Sequence, residues 1–455
     1  MAAPPITSLE AFRGTLISPG HPDYDEARAV YNAMIDRHPR LIARCAGVED
    51  VVLAVNLARE HDIPLAVRGG GHNAGGLGVW DDAIVLDLSG MRAVEVDAAN
   101  RRVRVQGGAT LGELDAATHA HGLAVPAGII ASTGVGGLTL GGGLGYLSRK
   151  HGLSIDSLLS VDMVLADGSK VTASADSHPD LFWAVRGGGG NYGVVTAFEF
   201  RAHPVADVIA GPMLWPLERS EEILRAFDEI IGSGPDELGG FFAFLTVPPG
   251  PPFPEELHLR QMCGIVWCWS GAPEDADAAL EPIRALDPVL DGVDALPFPA
   301  LNGAFDALYP AGLQWYWKAD FVDELTDEAI AAHVEHGSQL PSMLSSMHLY
   351  PIDRAVHDVA CDDTAWAYRS SRYACVIVGV DPDPAQADTI RDWARGYYDA
   401  IHPHSAGGAY VNFLQGDEGD DRVQATYDGN YDRLVEIKRR YDPANLFRIN
   451  QNIAP

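Results

Sequence analysis

Eight glycines fall within residues 128–145, in the run Gly128-Ile129-Ile130-Ala131-Ser132-Thr133-Gly134-Val135-Gly136-Gly137-Leu138-Thr139-Leu140-Gly141-Gly142-Gly143-Leu144-Gly145. Glycine inside a regular element costs about 0.5–1 kcal/mol relative to alanine, so a run this dense needs an offset. The isoleucines, valine and leucines that punctuate it do not belong in a flexible linker. Close packing of bare backbone on a large flat ligand supplies the offset, and Ser132 and Thr133 add short hydroxyl donors. Two more clusters repeat the device. Upstream, Arg68-Gly69-Gly70-Gly71-His72-Asn73 follows the apolar Ile63-Pro64-Leu65-Ala66-Val67. Successive N–H groups there form an anion-binding concavity suited to a phosphate, with the histidine held beside the ligand. The spacing is not the G-x-G-x-x-G that opens a nucleotide-binding helix. Downstream, four glycines at 187–190 precede Asn191-Tyr192-Gly193.

At 455 residues the chain has room for two or three domains, and 47% apolar residues can fill their cores. A net charge of -31 repels nucleic acid and anionic membranes, so neither is an expected partner. Five cysteines are few, scattered and odd in number. Cys263 and Cys268 lie in an apolar run without clustered histidines, and neither they nor His402 and His404 make a metal constellation, so no metal is expected. The start, Met1-Ala2-Ala3-Pro4-Pro5-Ile6, lacks the basic and apolar regions of a signal peptide, and no stretch is apolar enough to span a membrane. A reduced cytoplasmic setting is the expectation.

Periodicity predicts helices over 23–34, 49–60 and 111–121, and strands over 39–43, 63–67, 83–88 and 103–106. A strand over 160–166 turns at Asp167-Gly168 into Lys170-Val171-Thr172, a hairpin signature. A short helix over 179–186 and a strand over 194–200 follow. Residues 205–405 differ in character. Strands are predicted over 240–245, 257–269, 314–321, 345–350 and 374–380, and helices over 217–232, 275–285, 327–337 and 384–401. That pattern reads as a sheet with covering helices.

Taken in order, R-G-G-G-H-N, G-V-G-G-x-x-x-G-G-G-x-G and L-F-W-A-V-R-G-G-G-G-N-Y-G-V-V-T resemble the FAD-binding domain of the vanillyl-alcohol-oxidase/PCMH-type flavoproteins. Tyr410-Val411-Asn412-Phe413, the stretch Lys438-Arg439-Arg440-Tyr441-Asp442-Pro443 and the closing Asn450-Gln451-Asn452-Ile453 resemble the terminal motif of the berberine-bridge-enzyme-like oxidases. The resemblance covers about residues 38–200 and 405–455. It implies an α+β fold with three parts. Residues 1–204 form a PCMH-type FAD-binding domain of two α/β subdomains. Residues 205–405 form a substrate-binding domain with an antiparallel sheet covered by helices, and 406–455 return to the FAD domain.

The resemblance also implies FAD, bonded through the imidazole of His72 to the flavin 8α-methyl group. It assigns the remaining cofactor contacts to Arg68, Gly69, Gly70, Gly71, Asn73, Gly128, Ser132, Thr133, Gly136, Gly137, Gly142, Gly143, Gly152, Asp156, Gly193, Val195, Asn412, Asn450 and Asn452. Some members carry a second link from a cysteine, but Ile130 occupies that position here and cannot form a thioether. One covalent bond is therefore expected.

Flavin oxidation of an alcohol or amine needs a carbon that gives up hydride and usually a base for the O–H or N–H proton. Tyr410 matches a tyrosine proposed as base in carbohydrate-oxidising relatives, and Lys318 matches a lysine that approaches flavin N5 in amine-oxidising ones. His348 and Tyr350 share a strand face and match active-site positions, and Tyr368 stands where plant relatives have a histidine. Trp315 and Trp317 read as core or domain contacts. The implied activity is an oxidase that takes hydride from a CH–OH group of a sugar, alcohol or hydroxylated natural product and reduces O2 to H2O2. A C–N oxidase of the 6-hydroxynicotine type and a flavin-bearing drug-binding protein without turnover stay open. The expected partners are a small-molecule substrate and O2, with the chain a monomer or homodimer.

Overall fold

The computed structural model describes residues 10–455, so the amino-terminal start lies outside the described residues. Two sheets come from the first two hundred residues. In the first, Thr15–Ile17, Leu41–Arg44, Ile84–Asp87 and Leu65–Arg68 lie in that order. The outer pair is antiparallel and the other two pairings are parallel. The helix Val48–Glu60 makes the crossover that parallel strands require, burying Val51, Ala54, Val55 and Ala58. The second sheet is antiparallel, in the order Val94–Asp97, Arg102–Gln106, Val194–Arg201, Leu158–Val164 and Lys170–Ser174. The predicted hairpin at Asp167-Gly168 joins its last two strands.

The third sheet has eight strands, all between Asp207 and Asp381 and all antiparallel. Helices Ser220–Ser233, Ala276–Arg284, Asp327–Gly337 and Ala387–Ile401 bury their apolar stripes on one of its faces. Alternation then fixes the other face. Along Ser346–Pro351, Met347 and Leu349 point to the helices, so Ser346, His348 and Tyr350 point away. Along Tyr373–Asp381, Cys375 and Ile377 point to the helices and Val376 and Val378 away. The same period puts Tyr316 on the helix side of Gln314–Val322 and Trp315 and Trp317 on the other. Cys263 and Cys268, five apart on one strand, fall in different cores on the two faces.

Three departures from the sequence-based expectation have a clear physical reason or bear on the glycine loops. The helix predicted over 23–34 ends at Arg28. Beyond it the chain opens so that Tyr31 N–H reaches the Gly71 carbonyl (3.1 Å) and Asn32 Nδ2 donates to the Ala74 and Trp315 carbonyls (2.8 and 3.0 Å). The ten-residue strand Asp207–Pro216 was not predicted, because Gly211, Pro212 and Pro216 argue against a strand interior. Pro212 is tolerated because its carbonyl accepts from Gly292 N–H while its ring needs no acceptor. The glycine-rich run holds a short helix, Val135–Leu140.

Candidate flavin and active site

The glycine clusters pack first on one another. A Cβ on Gly70 would overlap the backbone of Gly134, and one on Gly134 would overlap that of Gly70, so the two loops touch main chain to main chain. Part of the offset for glycine thus comes from the protein's own backbone rather than from a ligand. At Gly137 and Gly190 the added atom would meet nothing within 4 Å. Both residues line a cavity of about 350 Å³, within the range of small-molecule and cofactor sites.

One wall of the cavity is made of the loops. Arg68, Gly69, Gly70, Gly71, His72, Asn73, Gly128, Ile130, Thr133, Gly136, Gly137, Gly193 and Val195 line it. The carboxyl-terminal tail adds Asn450 and Gln451. That tail is tied down by two groups. Asn191 donates to the Gln451 carbonyl (3.1 Å) and accepts from Ile453 N–H (3.0 Å). Lys438, fully buried, donates to the carbonyls of Asn191 (2.7 Å) and Phe447 (3.1 Å) and pairs with Asp442 (2.7 Å). The third glycine cluster and the tail are therefore one structural unit. Gly71, at φ +73°, turns the chain so that His72 follows in the cavity wall.

His72 stacks on Tyr31 with ring centroids 3.9 Å apart, and its Nδ1 lies 3.4 Å from Thr133 Oγ1. Burial pushes its pKa down to about 4, against a weaker opposing contact with the Ser132 backbone, so the imidazole is neutral at ordinary pH. Arg68 is not free for a phosphate. Its guanidinium is buried against Asp87 at 2.9 Å and braces the turn.

The second wall belongs to the eight-stranded sheet. Trp317, Val378 and Ser346 sit side by side across three strands, and Val376 and His348 share the next row. Trp315, Tyr309, Tyr350 and Phe413 complete it. His348 Nδ1 and the Tyr350 hydroxyl are 2.7 Å apart. Burial pushes the histidine down to about 3 and the tyrosine well up, so the pair is neutral.

Tyr410 stands between the walls, and its hydroxyl accepts from Gly143 N–H (2.8 Å) and from Asn412 Nδ2 (2.7 Å). Burial pushes its pKa up to about 12, against the opposing pull of the donors Gly143, Asn412 and Leu144. Asn412 is itself held at the cavity by the Leu138 carbonyl at 2.9 Å.

Several sequence-predicted residues lie outside the cavity lining. Lys318 points to the helix side of its strand, where it pairs with the buried Glu418 at 2.9 Å beside the rings of Tyr316 and Tyr398. Tyr368 stacks on Phe321 (4.6 Å) and donates to the Ala425 carbonyl (2.8 Å). Asp156 takes a two-pronged pair from Arg369, both bonds 2.8 Å, with Gly152 packed beside it. Gly142 and Gly143 abut Tyr410, Ser132 meets His72 through its backbone, and Asn452 follows the lining residues without joining them. Conversely, Trp315 and Trp317 line the cavity. Their alternation about Tyr316 put them on one face without saying which face met the cavity, and nothing in the local sequence pointed to Tyr31 as the partner of His72.

The Lys318–Glu418 pair makes a separate prediction. Removing one partner of a buried pair costs about 3–5 kcal/mol, because the other charge is left unpaired. Lys318→Met is expected to lower the urea midpoint markedly, and adding Glu418→Leu should restore most of the loss. A double variant no more stable than the single one would contradict this.

The FAD binding domain family matches residues 39–174, and the berberine and berberine-like family matches residues 409–454. An FAD-linked oxidoreductase of Dictyostelium discoideum is 30% identical over 98% of this chain and 96% of its own. This chain belongs to the berberine-bridge-enzyme-like FAD-linked oxidoreductases. The xylooligosaccharide oxidase of Thermothelomyces thermophilus is 29% identical over 93% of this chain and 89% of its own. The structure of 6-hydroxy-D-nicotine oxidase from Arthrobacter nicotinovorans superposes with a TM-score of 0.86 at 25% identity, covering 98% of each chain. The α+β architecture of this family is the one described above, and among the described residues no helix is long and apolar enough to cross a membrane.

The cavity suits the family's cofactor on physical grounds. The chain has 63 acidic and 32 basic residues, yet among the described residues no carboxylate lines the cavity. A dianionic pyrophosphate would be repelled by any such group. The N–H groups of Gly70, Gly71 and His72 make no hydrogen bond within the described chain, which leaves them free for phosphate oxygens. The Oδ1 of Asn450 is buried without a partner at the same wall.

Proposed function

We propose that the protein is an oxidase. It takes hydride from the CH–OH carbon of a small molecule, with FAD held through a single covalent bond to His72. When bound, FAD would supply the two-electron acceptor; the electron pair and proton of that hydride, together with the proton left at Tyr410, would pass on to O2 as H2O2. The hydroxyl proton passes to Tyr410, and the product is the corresponding aldehyde or ketone.

The observation that carries this reading is the setting of the Tyr410 oxygen. Two donors at 2.7 and 2.8 Å oppose the burial that raises this group, and they favour the tyrosinate, which is the form able to accept a proton. The neutral imidazole of His72 supports its role as the tether, since only an unprotonated nitrogen can bond to carbon. Ile130 in the cavity wall supports a single bond rather than two. A C–N oxidase finds less support, because Lys318 is committed to Glu418 away from the cavity.

The sign of the pH dependence follows. With the Tyr410 pKa raised, the tyrosinate fraction grows tenfold for each pH unit up to about 12, so flavin reduction should quicken as pH rises. Hydrogen bonds to charged groups are worth about 1.5–3 kcal/mol, so removing the Asn412 donor should raise the tyrosine further. Asn412→Ala is expected to slow anaerobic flavin reduction about ten- to a hundredfold at pH 7 and to move the rising limb to higher pH. An unmoved pH profile would remove Asn412 from the mechanism.

A further inference from the structure

Tyr31 is fixed at three points before it meets His72. Its N–H donates to the Gly71 carbonyl (3.1 Å), its own carbonyl accepts from Gly312 N–H (3.0 Å), and its hydroxyl donates to the Tyr309 carbonyl (2.5 Å). The next residue, Asn32, is buried and ties the same stretch to both walls. Its amide nitrogen donates to the Ala74 and Trp315 carbonyls, and its oxygen accepts from Trp315 N–H at 3.1 Å. The Tyr31 ring therefore has a set place between the loop that carries His72 and the indole of Trp315, whose centroid is 5.2 Å away.

The imidazole is held from two sides. Its face lies on the Tyr31 ring, 20° from parallel with centroids 3.9 Å apart, closer than the roughly 4.5–7 Å at which aromatic pairs usually settle. Its Nδ1 edge lies 3.4 Å from Thr133 Oγ1. A histidine side chain otherwise turns among several rotamers, and few of them bring a given nitrogen to a given carbon. A misplacement of about 1 Å can cost about a hundredfold in rate. Burial pushes the Tyr31 hydroxyl well up, so it is no base at ordinary pH, and what this residue offers His72 is its ring.

We propose that Tyr31 is a positioning residue for the tether: its ring holds the His72 imidazole in the orientation from which the histidine bonds to the flavin. This rests on the covalent reading above. In that step His72 gives up its ring N–H proton and forms a C–N bond to the 8α-methyl carbon, which gives up one hydrogen. The two electrons and two protons so released go to O2 as H2O2.

The test uses the full chain, produced under riboflavin limitation and then incubated with FAD in air at pH 7. Flavin retained after desalting measures binding, and fluorescence of the protein band on denaturing gels, followed over time, measures the bond. Wild type, Tyr31→Phe, Tyr31→Leu and Tyr31→Met are compared. All four are expected to bind FAD. Tyr31→Phe keeps the ring and should form the bond within about threefold of the wild-type rate, whereas Tyr31→Leu and Tyr31→Met should form it roughly tenfold to a hundredfold more slowly. Bond formation at the wild-type rate in either aliphatic variant overturns the proposal. So does a Tyr31→Phe variant as slow as they are, which would assign the effect to the hydroxyl. Loss of folding or of FAD binding in both aliphatic variants makes Tyr31 a scaffold of the whole site and overturns it too. A wild type that binds FAD but never forms a fluorescent band fails the covalent reading itself, and the role of Tyr31 falls with it.

Discussion

Tyr410→Phe is expected to slow anaerobic flavin reduction by about 10²–10⁴-fold, the range that a positioned general base contributes. The expectation is specific to the hydroxyl. The ring of Tyr410 packs edge to face on Phe413 at 4.8 Å, and phenylalanine keeps that contact. What disappears is the oxygen that Gly143 N–H and Asn412 Nδ2 both address. Two donors then face a hydrocarbon edge, a cost of about 1–3 kcal/mol for each group left unpaired. A modest loss of thermal stability should therefore accompany the kinetic defect, with flavin content unchanged. The pH dependence adds a second signature. The wild-type rate should climb with pH, and the residual rate of the variant should be flat. A variant that reduces its flavin at a near-normal rate would take Tyr410 out of the mechanism, and His348 would become the group to examine.

His72→Ala is expected to abolish covalent flavin altogether. Denaturing gel electrophoresis of the wild type should show a fluorescent protein band, and the variant should show none. Three features of the site lead to this outcome. His72 lines the cavity beside glycine loops whose N–H groups are unused, its ring is neutral through burial, and Ile130 offers no second attachment. Stacking on Tyr31, whose hydroxyl bonds the Tyr309 carbonyl at 2.5 Å, holds the ring in one plane. FAD should still bind the variant through the remaining loop and tail contacts, but acid precipitation should release it. Fluorescence that survives in the variant's protein band would place the tether elsewhere.

The sequence carried the architecture further than the chemistry. Glycine clusters, period-two strands and the Asn191 and Asn450 neighbourhoods are local signals, and they imply a layered α+β flavoprotein. The glycines themselves divide between two uses that sequence cannot separate. Gly70 and Gly134 exist for each other's backbone, whereas Gly137 and Gly190 open on the cavity. The side a strand residue faces was legible only where both neighbours were hydrophobic. Trp315, Tyr316, Trp317 and Lys318 form a run in which every residue is amphipathic, so the period gave two faces but not which one met the cavity. Glu418, a hundred residues away, decides where Lys318 goes, and long-range ion pairs leave no local trace. Tyr31 was hidden for a related reason. Its helix is broken by bonds to Gly71, Ala74 and Trp315, all made only after the chain has folded.

The most direct test of the whole account is a single anaerobic experiment on the purified protein. The yellow flavin is titrated with a panel of small alcohols and sugars until bleaching ends, and air is then admitted. The prediction is complete bleaching, prompt return of the yellow colour, and one H2O2 for each flavin reoxidised. Flavin that stays oxidised with every member of the panel, or that bleaches but recovers its colour only with an added quinone and yields no peroxide, would contradict it.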